Sequence, residues 1–466
     1  MEALMFKKNR SLKDGLNIVI IGCGKVGRTL VDQLCQEGHT ITVIDKDPKK
    51  LEDMANLYDV MGVCGNGASF SVQTEAGIQD TDLVIAVTGS DELNLLCCTV
   101  AKQVANCSVI ARVRTPDYND DIAYIREKLG LARIINPELE AAKEVARILY
   151  LPAALEVGSF AHGHAELVKI KLPEDSILHE LKIMDLSKHI KHNILICGVE
   201  RNGEVYIPSG NFTLLGGDVI SFVGTRKNCA RFMKGIGFDT HRVNDTMIVG
   251  GGKAAYYLAD QLIRAGIAVK IIETNLERCK ELSTLLPEAV IINGDGTDEA
   301  LLREAGLETA ESFVPLTGID EENIMLTLHA KQVSKAKAIT KVNRITFKNV
   351  LNNLDLGSVI YPKYITSETI IAYVRAKQAS KGSNIETLYH MFDARVEAIE
   401  FVVSEDSAVT NTPLMELKLK KDLLIPFISR KGRVFIPTGQ DSIQVGDEVM
   451  IVTTHTGFND LTDILA

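Results

Sequence analysis

A chain of 466 residues with 61 acidic and 51 basic side chains carries a net charge of −10, the wrong sign for a general nucleic-acid binder. Its 46% hydrophobic and 24% charged residues favour sizeable buried cores over disorder, and the length leaves room for about three to four domains. No apolar run approaches the ~20 residues that cross a bilayer. The 9 cysteines are scattered without a Cys-x-x-Cys pair, as expected of reduced core thiols in the cytosol.

Residues 1–15 hold Lys7, Lys8, Arg10 and Lys13 without a long apolar stretch and read as a flexible leader. Beyond them, short Val/Ile-rich runs alternate with amphipathic segments. Residues 18–21 predict a strand, 25–37 a helix closed by Gly38, and 40–45 a second strand. The next helix starts at Asp47-Pro48, a natural N-cap and first-turn pair. Strands are expected at 59–63, 83–87 and 109–113, and helices at 68–76 and 91–104. After Ile134-Ile135 a last helix covers 137–150. Such alternation predicts a parallel sheet covered by helices on both faces. From about 155 to 225 the texture becomes β-rich. Asn202-Gly203 marks a hairpin there, and Gly216-Gly217-Asp218 precedes a strand at 219–223.

The second half repeats the first. Gly22-Cys23-Gly24-Lys25-Val26-Gly27 returns as Gly250-Gly251-Gly252-Lys253-Ala254-Ala255, and Gly65-Asn66-Gly67 as Gly294-Asp295-Gly296. Asp91-Glu-Leu-Asn94 returns as Asp320-Glu-Glu-Asn323. In the β-rich parts Ile207-Pro-Ser-Gly210 returns as Ile436-Pro-Thr-Gly439, and Gly217-Asp218 as Gly446-Asp447. The expected fold class is therefore α/β, a tandem duplication of a Rossmann-like parallel-sheet lobe followed by a small β-rich α+β lobe. The first pair occupies 16–150 and 151–228, a linker 229–244, and the second pair 245–380 and 381–466.

In each copy the glycine motif follows a strand and opens a helix, the context that makes it a dinucleotide fingerprint. Gly22 allows the tight turn, Gly24 lets a pyrophosphate approach the backbone, and Gly27 lets the helix pack close to the strand. The helix N-terminus then offers its free N–H groups to phosphate. Asp45 ends the second strand, where a carboxylate accepts from both ribose hydroxyls and repels a 2′-phosphate. The first site is thus expected to favour NAD(H), ADP or ATP over NADP(H). In the second copy Ala255 replaces the third glycine and Glu273 the aspartate. The longer side chain seats a ribose differently or more weakly, so unequal affinity is expected, down to a second site that stays empty. The loops Gly65-Asn66-Gly67 and Thr88-Gly89, with Arg112 and Arg114 after the fifth strand, belong to the same sheet edge. No His/Asp or Ser/Tyr/Lys constellation follows either motif, and His162 with His164 lacks a third ligand. Neither a catalytic residue nor a metal site is expected.

The doubled order of lobes, with Gly22-x-Gly24-x-x-Gly27, Asp45, Gly65-Asn66-Gly67, Thr88-Gly89 and the Ile-Pro-Ser-Gly and Gly-Asp pairs, resembles the TrkA family. Its members are cytosolic regulatory subunits of bacterial Trk potassium-uptake systems, each half being an RCK/KTN nucleotide-binding domain with a TrkA-C lobe. The resemblance covers essentially the whole chain after the leader. It implies a non-enzymatic protein that binds NAD(H) and the adenine nucleotides ATP and ADP. It further implies a ring-shaped homo-oligomer, such as a tetramer, on the inner face of the cell membrane beneath a TrkH/TrkG-type potassium channel. Family nucleotide contacts carry over to Gly22, Cys23, Gly24, Lys25, Val26, Gly27, Asp45, Asn66, Thr88, Gly89 and Arg112 in the first half. In the second they carry over to Gly250, Gly251, Gly252, Lys253, Ala254, Glu273, Asp295 and Lys341. Two positions depart from the pattern. Asn66 stands where many RCK domains carry Asp, which Asp295 keeps, and Lys341 in place of an arginine gives up bidentate phosphate geometry. Two alternatives are an NAD-dependent oxidoreductase, which needs an acid–base residue in a substrate pocket, and a nucleotide-responsive transcription regulator, which needs a basic DNA-reading helix. The sequence displays neither pattern.

Overall fold

The computed structural model describes residues 15–118, 121–190, 193–343, 351, 354–378 and 383–466; all but the last residue of the expected leader lies outside them. The chain divides into two compact units. One runs to Glu140 and takes in Lys363–Ile371; the other holds Ala141–Pro362 and Ala372–Ala466.

In the first unit the apolar runs become β1 (Asn17–Ile21), β2 (Thr40–Asp45), β3 (Met61–Cys64), β4 (Leu83–Ala86), β5 (Ser108–Arg112) and β6 (Arg133–Ile135). They form a parallel sheet in the order β3-β2-β1-β4-β5-β6, the dinucleotide-binding order, which reverses direction between β1 and β4. The intervening helices are α1 (Lys25–Gln36), α2 (Pro48–Leu57), α3 (Phe70–Glu75), α4 (Asp91–Val104) and α5 (Ile122–Lys128). α6 (Pro137–Tyr150) is divided between the units. Local chemistry sets the ends. Gly38 takes φ +80° while its N–H and that of His39 return to the Cys35 and Leu34 carbonyls, closing α1. The Asp47 side chain caps α2 through the Lys49 N–H, with Pro48 in the first turn. β3 starts two residues later than expected, because the Val60 N–H turns back to the Tyr58 carbonyl. Cys97, Cys98 and Cys107 lie in the core with Val84, Val109 and Ala111, and burial pushes the Cys97 thiol up to about 12.

The second unit begins with an antiparallel sheet of β7 (Glu156–Phe160), β8 (Ala165–Lys171), β9 (Ile194–Arg201), β10 (Glu204–Tyr206) and β11 (Val219–Gly224), in the order β10-β9-β11-β8-β7. The short α7 (Leu186–His189) falls between β8 and β9. Asn202 and Gly203 (φ +52° and +81°) make the expected two-residue turn between β9 and β10. α8 (Arg226–Gly235) runs into the expected linker. Residues 229–235 of the supposed linker are helical, because Cys229, Phe232 and Met233 bury and Phe232 meets Phe222 with ring centroids 4.7 Å apart.

A second parallel sheet follows: β12 (Asp245–Val249), β13 (Ala268–Glu273), β14 (Val290–Asn293), β15 (Ser312–Pro315), β16 (Lys337–Lys341) and β17 (Ser358–Ile360), in the order β14-β13-β12-β15-β16-β17. Its helices are α9 (Lys253–Arg264), α10 (Leu276–Leu285), α11 (Glu299–Glu304) and α12 (Asp320–Val333). After α13 (Pro362–Gln378) comes a second antiparallel sheet: β18 (Ser383–Met391), β19 (Val396–Val403), β20 (Leu423–Arg430), β21 (Arg433–Phe435) and β22 (Glu448–Thr453). The repeated Gly-Asp pairs have one structural cause. Asp218 and Asp447, both buried, take bidentate hydrogen bonds from Arg201 and Arg430 at 2.6–2.8 Å. The two β lobes share a core in which Phe160, Leu167 and Cys197 meet Phe392, Val396 and Phe427. Polar contacts also cross between the lobes. The buried Glu400 carboxylate accepts from the Ala161 N–H at 2.6 Å, and the Lys169 ammonium lies 5.2 Å from the Phe392 ring centre.

Candidate nucleotide sites

Each parallel sheet ends in the same loop geometry. Gly22 and Gly250 take φ +111° and +98°, conformations open to glycine, as their N–H groups bond to the Ile44 and Ile272 carbonyls at 2.8 Å. A Cβ on Gly27 would sit 1.9 Å from the Gly22 carbonyl oxygen, so α1 approaches its strand closely because that residue has no side chain. In the second half Ala255 is fully buried at the matching place, so α9 is seated to accommodate a methyl group.

Asp45 and Glu273 act on this loop in the same way. Asp45 accepts from the Cys23 N–H at 2.6 Å and the Asp47 N–H at 3.0 Å. Glu273 accepts from the Gly251 N–H at 2.6 Å and the Asn275 N–H at 2.7 Å. Each carboxylate therefore clamps its glycine loop to the end of the second strand, and the extra methylene of Glu273 does not change the pairing. Burial works to raise the Glu273 carboxyl, but hydrogen bonds from Asn275, Gly251 and Thr274 prevail and hold it below the usual range. A carboxylate has about four lone-pair directions, so both retain capacity toward a ribose.

The fourth and fifth strands supply a feature the sequence reading missed. Asn94 accepts from the Thr88 N–H and hydroxyl, each at 2.7 Å, and donates to the Arg112 carbonyl at 2.9 Å. Asn323 repeats this with Thr317 at 3.0 and 2.8 Å and the Lys341 carbonyl at 3.0 Å. Asp91 accepts from the Arg114 and Thr115 N–H groups at 2.9 and 2.8 Å, and Asp320 from the Asn343 N–H at 2.9 Å. The return of Asp91-x-x-Asn94 as Asp320-x-x-Asn323 was the signal, since these are the first-turn residues that tie both loops to the helix. Arg112 donates to the Thr88 carbonyl and its Nε is buried without a partner; burial lowers its guanidinium pKa, with Arg114 adding to the effect. Lys341 donates to the Leu316 carbonyl at 3.0 Å. Asn66 accepts from the Ala68 N–H at 3.3 Å, and Asp295 from the Thr297 N–H at 2.9 Å. His162 lies 3.2 Å from Glu448, and the His164 ring meets the Ala161 carbonyl at 3.0 Å, both in the turn between β7 and β8.

The strand ends enclose space. In the second half a crevice of about 630 Å3 is lined by Gly250, Gly252, Glu273, Asp295, Thr317 and Gly318, among others, a size suited to a small-molecule ligand. A Cβ on Gly24, Gly89, Gly252 or Gly318 would meet no protein atom within 4 Å, and Gly24 and Gly252 have extended backbones (φ −73° and −66°) that any residue adopts. Neither strain nor protein packing calls for glycine at these four places. Open space beside uncapped helix N-termini fits the phosphates of a dinucleotide.

Fold and site together define a duplicated Rossmann protein in which each nucleotide-type crevice is followed by an antiparallel β lobe. Residues 18–137 and 246–362 match the TrkA-N domain, and residues 167–237 and 398–466 the TrkA-C domain. The Trk system potassium uptake protein TrkA homolog of Archaeoglobus fulgidus is 32% identical over 94% of this chain and 97% of its own length. The Trk system potassium uptake protein TrkA of Haemophilus influenzae is 29% identical over 94% and 95%. The chain belongs to the TrkA family of Trk potassium-uptake proteins, regulatory subunits rather than enzymes. Among solved structures it resembles the GsuK RCK domain, with a TM-score of 0.63 at 17% identity over 94% of this chain and 92% of that one. It also resembles a GsuK channel bound to NAD, with a TM-score of 0.61 at 17% identity over 94% and 77%.

Proposed function

We propose that the protein is the nucleotide-sensing subunit of a TrkH/TrkG-type potassium channel, working as a ring-shaped homo-oligomer, tetrameric in the simplest case, on the cytoplasmic face of the membrane. Its ligands are NAD(H) and the adenine nucleotides ADP and ATP. Family membership supplies the potassium-uptake role. The nucleotide reading rests on one observation, the four glycines whose missing side chains leave open space at the strand ends.

Gly24 and Gly252, with the first-turn amides of α1 and α9, would hold the phosphates, while Asp45 and Glu273 fix the loops and face the ribose. Bound nucleotide supplies negative charge and a rigid body across the crevice. Loops joined through Asn94 and Asn323 to α4 and α12 carry any rearrangement into those helices. A differential affinity worth about 1–3 kcal/mol per site, multiplied around a ring, suffices to bias a gate.

Gly24→Val and Gly252→Val test this directly, because a Cβ at either place meets no protein atom within 4 Å and the backbone already suits it. The expected outcome is unchanged folding, loss of nucleotide binding at the altered crevice by calorimetry, and loss of the nucleotide response of potassium flux in vesicles holding the channel. Full binding and a full flux response in the double variant would overturn the reading.

A further inference from the structure

A second cavity, of about 1060 Å3, lies at the opposite end of the second parallel sheet, where the chain enters β15 and β16. Its walls carry carboxylates and amines in unequal condition. Asp239 accepts from the His241 N–H at 2.9 Å, Glu308 pairs with Arg303 at 3.2 Å, and Glu311 accepts from the Asn244 N–H and side-chain amide at 2.6 and 2.8 Å. Glu308 alone of the three has a cationic partner, while Asp239 and Glu311 are held by neutral N–H donors. Lys335 and Lys337 have no carboxylate within ion-pair distance among the described residues. Lys337 is half-buried and donates to the Ala154 carbonyl at 2.6 Å; its burial, with Lys331 adding repulsion, lowers the ammonium to about 8. The first half has Asn106 just ahead of β5 and Ser108 at its start in the corresponding places, so this pair of amines is not part of the repeat. A half-buried cation without a counter-charge is costly, and Lys337 beside the exposed Lys335 on one cavity wall makes a site for a dianion.

We propose that this cavity binds a small phosphate-bearing molecule, its phosphate lying against Lys335 and Lys337 and its remainder filling the space between Pro152, Phe238 and Val243. The site is separate from both nucleotide crevices, at the other end of the strands. Bound phosphate favours the charged form of Lys337, and so removes the free amine.

Acetylation by acetic anhydride at pH 8, read peptide by peptide by mass spectrometry on the full chain, tests this with inorganic phosphate as the probe. Lys337 is expected to react despite its partial burial, and phosphate to slow that reaction at least fivefold relative to chloride at equal ionic strength. Lys335→Gln, a change at an exposed side chain, should raise the phosphate needed for half-protection about tenfold. Equal rates in phosphate and chloride, or protection untouched by Lys335→Gln, would overturn the proposal. Lys25 and Lys253 report the nucleotide crevices in the same spectra, so failure there is seen separately.

Discussion

Asp45 and Glu273 each hold two backbone N–H groups at the glycine loop, so their first task is to fix the loop that a nucleotide would touch. Asp45→Ala should lower NAD(H) affinity at the first site ~10–100-fold, the range expected when hydrogen bonds to a charged group are lost. Calorimetry showing unchanged affinity would refute that role. Gly27 supports a sharper expectation. With a Cβ 1.9 Å from the Gly22 oxygen, Gly27→Ala must push α1 outward and should cost about 1–3 kcal/mol. Ala255→Gly, where the methyl is already housed, should cost about 1–2 kcal/mol through helix propensity and the lost burial of one methyl group. Paired thermal melts decide, and equal losses would mean that both helices sit alike. The sequence marked these residues as a motif. It assigned the acids to ribose alone, because spacing reveals which strand a residue ends and not which amides it reaches.

At the scale of the element, α4 and α12 do more than cover a sheet. Their first turns bind the loop after the fourth strand to the end of the fifth through Asn94 and Asn323. Asn94→Ala leaves buried groups unpaired and should destabilise by about 2–3 kcal/mol. Asn94→Asp, which keeps the acceptor for Thr88, should recover part of that in urea denaturation; no difference between the two would show that the acceptor is unimportant. The helix and strand periods were legible because one face of each element is apolar. Gly38, Pro48 and Asn202-Gly203 marked ends by their own backbone preferences. The helix α8 was missed; it packs on β11, which directly precedes it, and on β8 and β9, which lie farther off in the sequence.

For the whole molecule, the compact units do not follow the repeat. The first β lobe clusters with the second half of the chain, through the shared core around Phe160 and Phe392. Acid sensitivity is expected in this second unit. Burial would raise the Glu397 carboxyl, but His390 and the bidentate Arg375 hold it down, to about 2 from 4.5. The folded state thus releases a proton that the unfolded chain keeps across this interval. Stability from the pair is complete above about 4.5 and is lost as pH falls toward about 2, on the order of 3 kcal/mol in all. Glu397→Gln should lower stability at neutral pH and flatten this acid slope, and urea melts between pH 5 and 2.5 measure both. The two crevices invite a second measurement. Because both acids clamp their loops alike while Arg112 is matched by Lys341, affinities should differ through the phosphate end of the ligand. Calorimetry with ADP and NAD(H) on the Gly24→Val and Gly252→Val variants would reveal two equal sites if this is wrong.

The sequence by itself determined the doubled Rossmann and β-lobe order, the glycine loops and the acids behind them. These are set by local periodicity, backbone preference and repetition, all properties of neighbouring residues. Tertiary structure decided which amides the acids hold, that four glycines face open space, that two lysines are left without counter-charges, and that the β lobes share one core. Each of those depends on groups far apart in the chain arriving within a few ångströms of one another, and no spacing along the sequence encodes that distance.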